Sequence, residues 1–173
     1  RAGKIQAQIL GQQRIVRQGA DHRHAFIDLN APEADPLEKA LDRICAEAEQ
    51  AAQDGKLILM LSDRYLKKGM LPVHALLATG CVHHYLVEKG LRCNVNILVE
   101  TGCARDPHQI ACLIGYGATA VYPYLAYQSL HDIAQRGNVD KQQQLGRSYR
   151  RGIRKGLFKI MSKMGISSVS SYR

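Results

Sequence analysis

The strongest constraint on this chain is a repeated alternation. Four short runs of aliphatic and β-branched residues are each closed by polar or turn-forming residues and followed by a helical pattern. The runs are Ala25-Phe26-Ile27-Asp28-Leu29, Lys56-Leu57-Ile58-Leu59-Met60-Leu61, Asn94-Val95-Asn96-Ile97-Leu98-Val99 and Ala118-Thr119-Ala120-Val121-Tyr122. The helical segments run from Pro36 to Gln53, Pro72 to Glu88, Pro107 to Tyr116 and Tyr124 to Gln135. Strand–helix alternation predicts an α/β fold with a parallel sheet of about four βα units. Four such units make half of a closed barrel (an incomplete TIM-like arrangement) or a small open sheet. The continuous apolar run from Lys56 to Leu61 predicts a strand covered on both faces.

Local signals set the boundaries. Asp35 before Pro36 reads as a helix N-cap followed by Pro at the first helical position. Leu37, Leu41, Ile44, Ala48 and either Ala51 or Ala52 give that helix one apolar stripe, and Gly55 is placed to end it in the left-handed conformation. Beyond Gly137 the pattern becomes a long basic helix from Asp140 to Lys163. Ile153, Leu157, Ile160, Met161 and Met164 form its docking stripe. Gly146, Gly152 and Gly156 each weaken an isolated helix by ~1 kcal/mol, so neighbouring structure is expected to hold it. The organisation is an irregular lead-in over 1–24 with a short strand around Ile5–Leu10, a βα-repeat body over 25–137, and a basic helix with a truncated linker over 138–173. Arg1 without a preceding Met, and the ending Ser171-Tyr172-Arg173, read as cut ends of a longer polypeptide.

Composition narrows the function classes. The 173 residues are 46 % hydrophobic and 23 % charged, values of an ordinary globular domain rather than a disordered chain, a collagen or a disulfide scaffold. No apolar run approaches the ~20 residues that cross a bilayer. Five cysteines, an odd number, read as reduced thiols of a cytoplasmic protein. Cys103, His108 and Cys112, with Cys81, His83 and His84 upstream, come nearest to a metal pattern. They lack the paired C-x-x-C spacing of a structural zinc site, so core thiols and surface histidines are expected, and no bound metal. The net charge is +9, and residues 131–173 hold 10 Lys+Arg against 2 Asp+Glu. Such a helix suits nucleic acid, an anionic membrane or an acidic neighbouring domain. A solvated or domain-facing surface is the expectation, with neither nucleic acid nor membrane as partner.

Polar residues gather where the strands end: Ser62-Asp63-Arg64, Glu100-Thr101-Gly102 and Tyr122-Pro123-Tyr124. Ligands and interfaces of α/β folds are built at that edge. Ser62, Asp63 and Arg64 are expected to cap a loop and hold an interface rather than to catalyse. Glu100 is expected to be a structural carboxylate bonded to backbone N–H groups or to Arg105. His83 and His84 point about 100° apart on a helix, so they do not converge on one ligand.

These motifs, in this order, resemble the glutamate synthase large subunit. The resemblance is carried by Leu59-Met60-Leu61-Ser62-Asp63-Arg64, by Leu71-Pro72 with Ala75-Leu76-Leu77-Ala78 and the pair His83-His84, and by Glu100-Thr101-Gly102 with Ala104-Arg105. It continues through Leu113-Ile114-Gly115-Tyr116-Gly117-Ala118 and Pro123-Tyr124-Leu125-Ala126 to Lys159-Ile160-Met161-Ser162-Lys163-Met164-Gly165-Ile166-Ser167. Cys103, Asp106-Pro107, Tyr122 and Lys67-Lys68-Gly69 depart from the family pattern. The resemblance places the chain in the C-terminal half of the central domain, ending before the FMN-binding domain.

It implies a parent that forms L-glutamate from L-glutamine and 2-oxoglutarate with FMN, a 3Fe–4S cluster and reduced pyridine nucleotide or ferredoxin. None of the family's flavin, cluster or nucleophilic cysteine positions falls in this stretch, so the isolated chain is expected to be inactive and to bind no cofactor. The implied partners are the glutaminase and FMN-binding domains of the same polypeptide and a small NADPH-oxidising subunit. Interface or ammonia-tunnel candidates are Ser62, Asp63, Arg64, Glu100, Thr101, Tyr122, Tyr124, Lys163, Met164 and Gly165. Two other readings stand beside this one: an independent α/β-barrel enzyme binding a phosphorylated small molecule, and a nucleic-acid-binding module working through Arg147–Lys163. Against the first, Gly115-Tyr116-Gly117 ends a helix rather than opening one. Against the second, the basic stretch is interleaved with only Tyr149 and Phe158 as aromatics.

Overall fold

The four apolar runs pair side by side. In the computed structural model, which describes residues 23–137 and 142–172, β1 (His24–Asp28), β3 (Ile58–Ser62), β5 (Asn96–Glu100) and β6 (Ala120–Tyr122) form one sheet in the order β1-β3-β5-β6. Every pairing in it is parallel. The register sets Phe26 beside Met60, Met60 beside Leu98 and Leu98 beside Ala120. One step on, Asp28, Ser62, Glu100 and Tyr122 form a row at the strand ends. Helices α1 (Leu37–Gln53), α2 (Ala75–Glu88), α3 (Pro107–Gly115), α4 (Tyr124–Gly137) and α5 (Gln142–Met164) complete the fold. The expected strand around Ile5–Leu10 lies outside the described residues.

Alternation decides what the sheet buries. Ile27, Leu59, Leu61, Ile97 and Val99 point one way and are at most 1 % exposed. They share a core with Ile44 and Ala48 of α1, Ala78, Val82 and Leu86 of α2, and Leu113 and Ile114 of α3. The opposite side is bare among the described residues: Phe26 is 45 % exposed and Ile58 37 %, with Met60 and Leu98 half-buried. The two-sided cover expected for the Lys56–Leu61 run is therefore not present among the described residues, where β3 is packed on one face only. Burial of a single large aliphatic side chain is worth about 1.5–3 kcal/mol, so the helix-covered side carries the stability of the sheet.

Several boundaries shift for local reasons. Pro36 is itself the extended residue before α1, and Asp35 pairs with Lys39 at 2.8 Å instead of capping the helix. Leu37 is 48 % exposed, and Ala40 takes its place on the buried stripe. Gly55 has the positive φ expected of it, 75°. α2 begins at Ala75 rather than Pro72, because Met70–Pro72 forms a strand, β4, antiparallel to β2 (Asn30–Pro32). The His74 Nδ1 accepts from the Leu76 N–H and caps α2 instead. α3 starts at Pro107 behind Asp106, whose carboxylate accepts from the Gln109 N–H at 2.9 Å in a reciprocal capping box.

The basic helix docks as expected, on α3 and α4. Ile153 and Leu157 pack against the core, and Met161 is 5 % exposed. Met164, expected on the same stripe, is instead 54 % exposed. Gly156 lies where an added Cβ would overlap the Pro107 ring, whereas at Gly152 nothing stands within 4 Å. The two glycines therefore predict opposite responses. Gly152→Ala is expected to stabilise the chain by up to ~1 kcal/mol through helix propensity. Gly156→Ala is expected to destabilise it by about 1–3 kcal/mol through overpacking on α3. Urea unfolding midpoints of the two variants check both signs, and a gain at Gly156 would show that α5 does not sit closely on Pro107.

Candidate functional site

The strand ends carry two buried carboxylates. Glu100, the last residue of β5, is 5 % exposed, and Asp63, just after β3, is 7 % exposed. Parallel register puts Ser62 directly beside Glu100. Ser62 Oγ donates to Glu100 Oε2 at 2.7 Å, and Arg64 Nη1 donates to Oε1 at 2.9 Å. The Arg64 N–H donates back to Ser62 Oγ at 3.2 Å, closing a ring of bonds. Asp63 accepts from Thr101 Oγ1 at 2.5 Å and from the Gly102 N–H at 3.0 Å. Thr101 Oγ1 also accepts from the Cys103 N–H at 3.1 Å.

Both carboxylates are thus committed to donors on the neighbouring strand or loop. The Asp63 N–H bonds the Glu100 carbonyl, and the Thr101 N–H bonds the Tyr122 carbonyl, so the edge is tied from β3 through β5 to β6. Arg64, not Arg105, is the cationic partner of Glu100; the Arg105 side chain lies in an exposed residue whose N–H bonds Gln109.

Aromatic rings extend the cluster outward. The Arg64 guanidinium stands 5.3 Å from the Tyr124 ring centroid, a cation–π distance. Tyr122 stacks on Tyr127 at 5.8 Å, Tyr127 meets Tyr149 edge-on at 5.5 Å, and the Tyr149 hydroxyl donates to the Arg105 carbonyl. Strand β6 is thereby linked through α4 to the basic helix. Burial, aided by the Asp63 charge, pushes the Tyr124 phenol up to about 12. Burial also raises Tyr122, although Arg64 opposes it. Arg64 is lowered by burial and raised by Glu100, and the pairing with Glu100 wins.

Ser62, Asp63, Arg64, Glu100, Thr101, Tyr122 and Tyr124 therefore come together. Lys163, Met164 and Gly165 lie apart, at the far end of α5, where Lys163 lines a shallow hollow with Asp106, Pro107 and His108. Sequence reasoning missed Arg43, whose guanidinium donates to the carbonyls of Asp28 and Asn30 at 2.9 and 3.2 Å and fastens α1 to the end of β1. It also missed the capping box, although Asp106-x-x-Gln109 was a readable signal. His84 is exposed, and His83 accepts from Arg92 Nε at 2.9 Å. His108 lies 3.8 Å from Cys112 Sγ, and the two line a cleft of about 190 Å³ with His74, Thr101 and Cys103. Among the described residues no three His, Cys, Asp or Glu side chains stand together as metal ligands.

Chemically, the cluster is a clamp. Ser62 Oγ faces a carboxylate that already takes an arginine, and no histidine of the described residues bonds it. Removing one member of a buried, bonded charge pair costs about 3–5 kcal/mol, less where a partner reaches solvent, as Arg64 does. Glu100→Ala is thus expected to lower unfolding stability by about 3 kcal/mol, and Ser62→Ala by about 1 kcal/mol; denaturant titration reads both. A second expectation concerns alkaline pH. The unfolded phenol loses its proton near 10 and the folded Tyr124 near 12, so stability falls as pH rises through that window. The wild-type minus Tyr124→Phe difference absorbance of phenolate is expected to titrate well above 10. A midpoint near 10 would show that Tyr124 is not shielded.

A family model described as the glutamate synthase central domain matches residues 4–173. Over 141 residues, 81 % of its length, the chain is 42 % identical to the glutamate synthase (NADPH) large chain of Bacillus subtilis. It is 38 % identical over 160 residues, 85 % of its length, to the ferredoxin-dependent, chloroplastic glutamate synthase of Spinacia oleracea. The chain covers 9 % and 10 % of those two proteins, about a tenth of each. Among solved structures, a mutant flavocytochrome b2 with pyruvate bound is similar in fold, with a TM-score of 0.54 at 13 % identity over 75 % of this chain and 31 % of that one. This chain belongs to the glutamate synthase central domain family.

Proposed function

We propose that the chain is the C-terminal half of a connecting domain in a glutamate synthase. That enzyme makes L-glutamate from L-glutamine and 2-oxoglutarate. In this reading the domain aligns the glutaminase and FMN-binding domains and helps enclose ammonia in transit. The observation that carries the proposal is the side of the sheet left uncovered among the described residues. Phe26 and Ile58, with the half-buried Met60 and Leu98, form an apolar surface on a chain that spans a tenth of its relatives. A surface of this kind suits contact with other parts of one polypeptide.

The strand-end cluster supports the same reading. Its carboxylates hold strands and loops together, which gives a rigid edge for an interface. Ser62, Asp63, Arg64, Glu100, Thr101, Tyr122 and Tyr124 are the proposed interface residues there, and Lys163, Met164 and Gly165 those at the end of α5. Among the described residues, the strand-end edge does not suit the cofactors of the proposed parent. The strand-end edge holds two buried carboxylates, Asp63 and Glu100, which would repel a flavin phosphate brought there, and the described residues bring no three cysteines together for an iron–sulfur cluster. In the proposed parent, FMN and the 3Fe–4S cluster belong to other domains, and a small NADPH-oxidising subunit is the proposed electron source.

The test is direct. The isolated chain is expected to show neither glutaminase nor glutamate synthase activity and to purify colourless. Stoichiometric flavin in the purified protein would overturn the reading. In a glutamate synthase carrying this domain, Arg64→Ala is expected to lower the glutamate formed per glutamine hydrolysed while glutamine hydrolysis itself persists. An unchanged ratio would count against a role in coupling the two reactions.

A further inference from the structure

Two cysteines outside the strand-end cluster face each other across a helix interface. Cys45 of α1 and Cys81 of α2 have sulfurs 3.7 Å apart, with the Cys45 thiol donating toward Cys81. α1 and α2 pack directly on one another. Cys45 is 4 % exposed and sits within the core, while Cys81 is half-buried at its border. The other three cysteines are distributed differently: Cys93 and Cys103 are exposed, and Cys112 lies near His108. Among the described residues, Cys45 and Cys81 are the thiol pair in contact.

The sulfurs are at van der Waals separation, and a disulfide needs them at ~2.05 Å. The closure is under 2 Å, within the range of side-chain rotation and small helix movement. Burial, together with the neighbouring Cys81, pushes the Cys45 thiol up to about 12, so it stays protonated at neutral pH. The two thiols therefore have unequal roles. Cys81 is the one an oxidant in solvent can reach, and Cys45 is the one held ready behind it.

We propose that Cys45 and Cys81 form a two-thiol oxidation site that hydrogen peroxide converts to a disulfide bridging α1 and α2. In the first step the Cys81 thiolate attacks one oxygen of the O–O bond. That bond breaks, Cys81 becomes a sulfenic acid, and the second oxygen leaves as hydroxide and takes a proton from solvent to become water. In the second step the Cys45 sulfur attacks the Cys81 sulfur. The S–O bond breaks, and the departing hydroxyl leaves with the Cys45 proton as a second water. Two thiols are oxidised and one molecule of hydrogen peroxide is reduced. The half-exposed residue reacts first, and its buried neighbour resolves the sulfenic acid before a second oxidation can follow. A thiol reductant reverses the bridge by exchange.

The experiment is peptide mapping of the native polypeptide after limiting hydrogen peroxide, with free thiols blocked on quenching. The expected result is one dominant cross-linked peptide joining Cys45 to Cys81, lost on treatment with dithiothreitol. In Cys45→Ser, Cys81 is expected to accumulate as a sulfenic acid trapped by dimedone, at several times the wild-type level. In Cys81→Ser, Cys45 is expected to remain a free thiol under the same dose. A wild-type protein that oxidises at Cys93 or Cys103 while Cys45 and Cys81 stay reduced would overturn the proposal. So would Cys81 ending as sulfinic acid without the cross-link. Wild type in denaturant serves as the folding control: if it cross-links Cys45 to Cys81 as selectively as the native protein, the helix contact is not what directs the reaction.

Discussion

A carboxylate at the end of a buried strand is the interaction on which the strand-end edge depends. Glu100 is almost fully enclosed, and an ionised carboxyl group in such a place must be surrounded by donors. Ser62 and Arg64 supply them from the neighbouring strand and the loop behind it. That requirement fixes more than two side chains. It ties β3 to β5 at their ends and sets the first turn of the loop that leaves β3. The backbone at Asp63 then bonds the Glu100 carbonyl, while the Asp63 carboxylate holds Thr101 and Gly102. A fold in which either acidic residue lost its partners would leave a buried charge uncompensated, so the two loops cannot shift independently.

The clamp and the open sheet face are complementary. Helices cover the side lined by Ile27, Leu59, Leu61, Ile97 and Val99, and the side lined by Phe26, Ile58, Met60 and Leu98 has no such cover among the described residues. The rigid end row of Asp28, Ser62, Glu100 and Tyr122 borders that uncovered side, on the same face by register. From Tyr122 the stacked rings of Tyr127 and Tyr149 carry the contact to the basic helix. Our proposal of a connecting domain uses all three features: an apolar face to be covered, a stiff edge beside it, and a helix whose seven Lys and Arg residues make no salt bridge among those described.

Much of this was legible in the residues, and the failures have physical causes. Apolar runs alternating with helical periodicity located the sheet strands and helices because each pattern is local. The ribbon of β2 and β4 was not legible, since three residues a side, with Pro32 and Pro72 at opposite ends of the pairing, carry no alternation of their own. Chain proximity offered backbone N–H groups or Arg105 as partners of Glu100, and neither includes Arg64, which lies 36 residues away and is brought near only by strand register. The run from Ile58 to Leu61 reads the same whether one face or two are covered, because a continuous apolar run carries no alternation to mark an open face. Gly156 read as a weak point of helix α5 and is instead the place where that helix approaches Pro107.

The central proposal is that the side of the sheet left bare among the described residues is an internal surface of a larger polypeptide. Hydroxyl-radical footprinting at Phe26 and Met60 measures it most directly, comparing the isolated chain with a complete glutamate synthase that contains it. The account predicts strong labelling of both residues in the isolated chain and at least several-fold protection in the complete enzyme, with the already buried Met161 protected in both. Equal labelling of Phe26 and Met60 in the two samples would contradict it, because the face would then be open to water in the working enzyme as well.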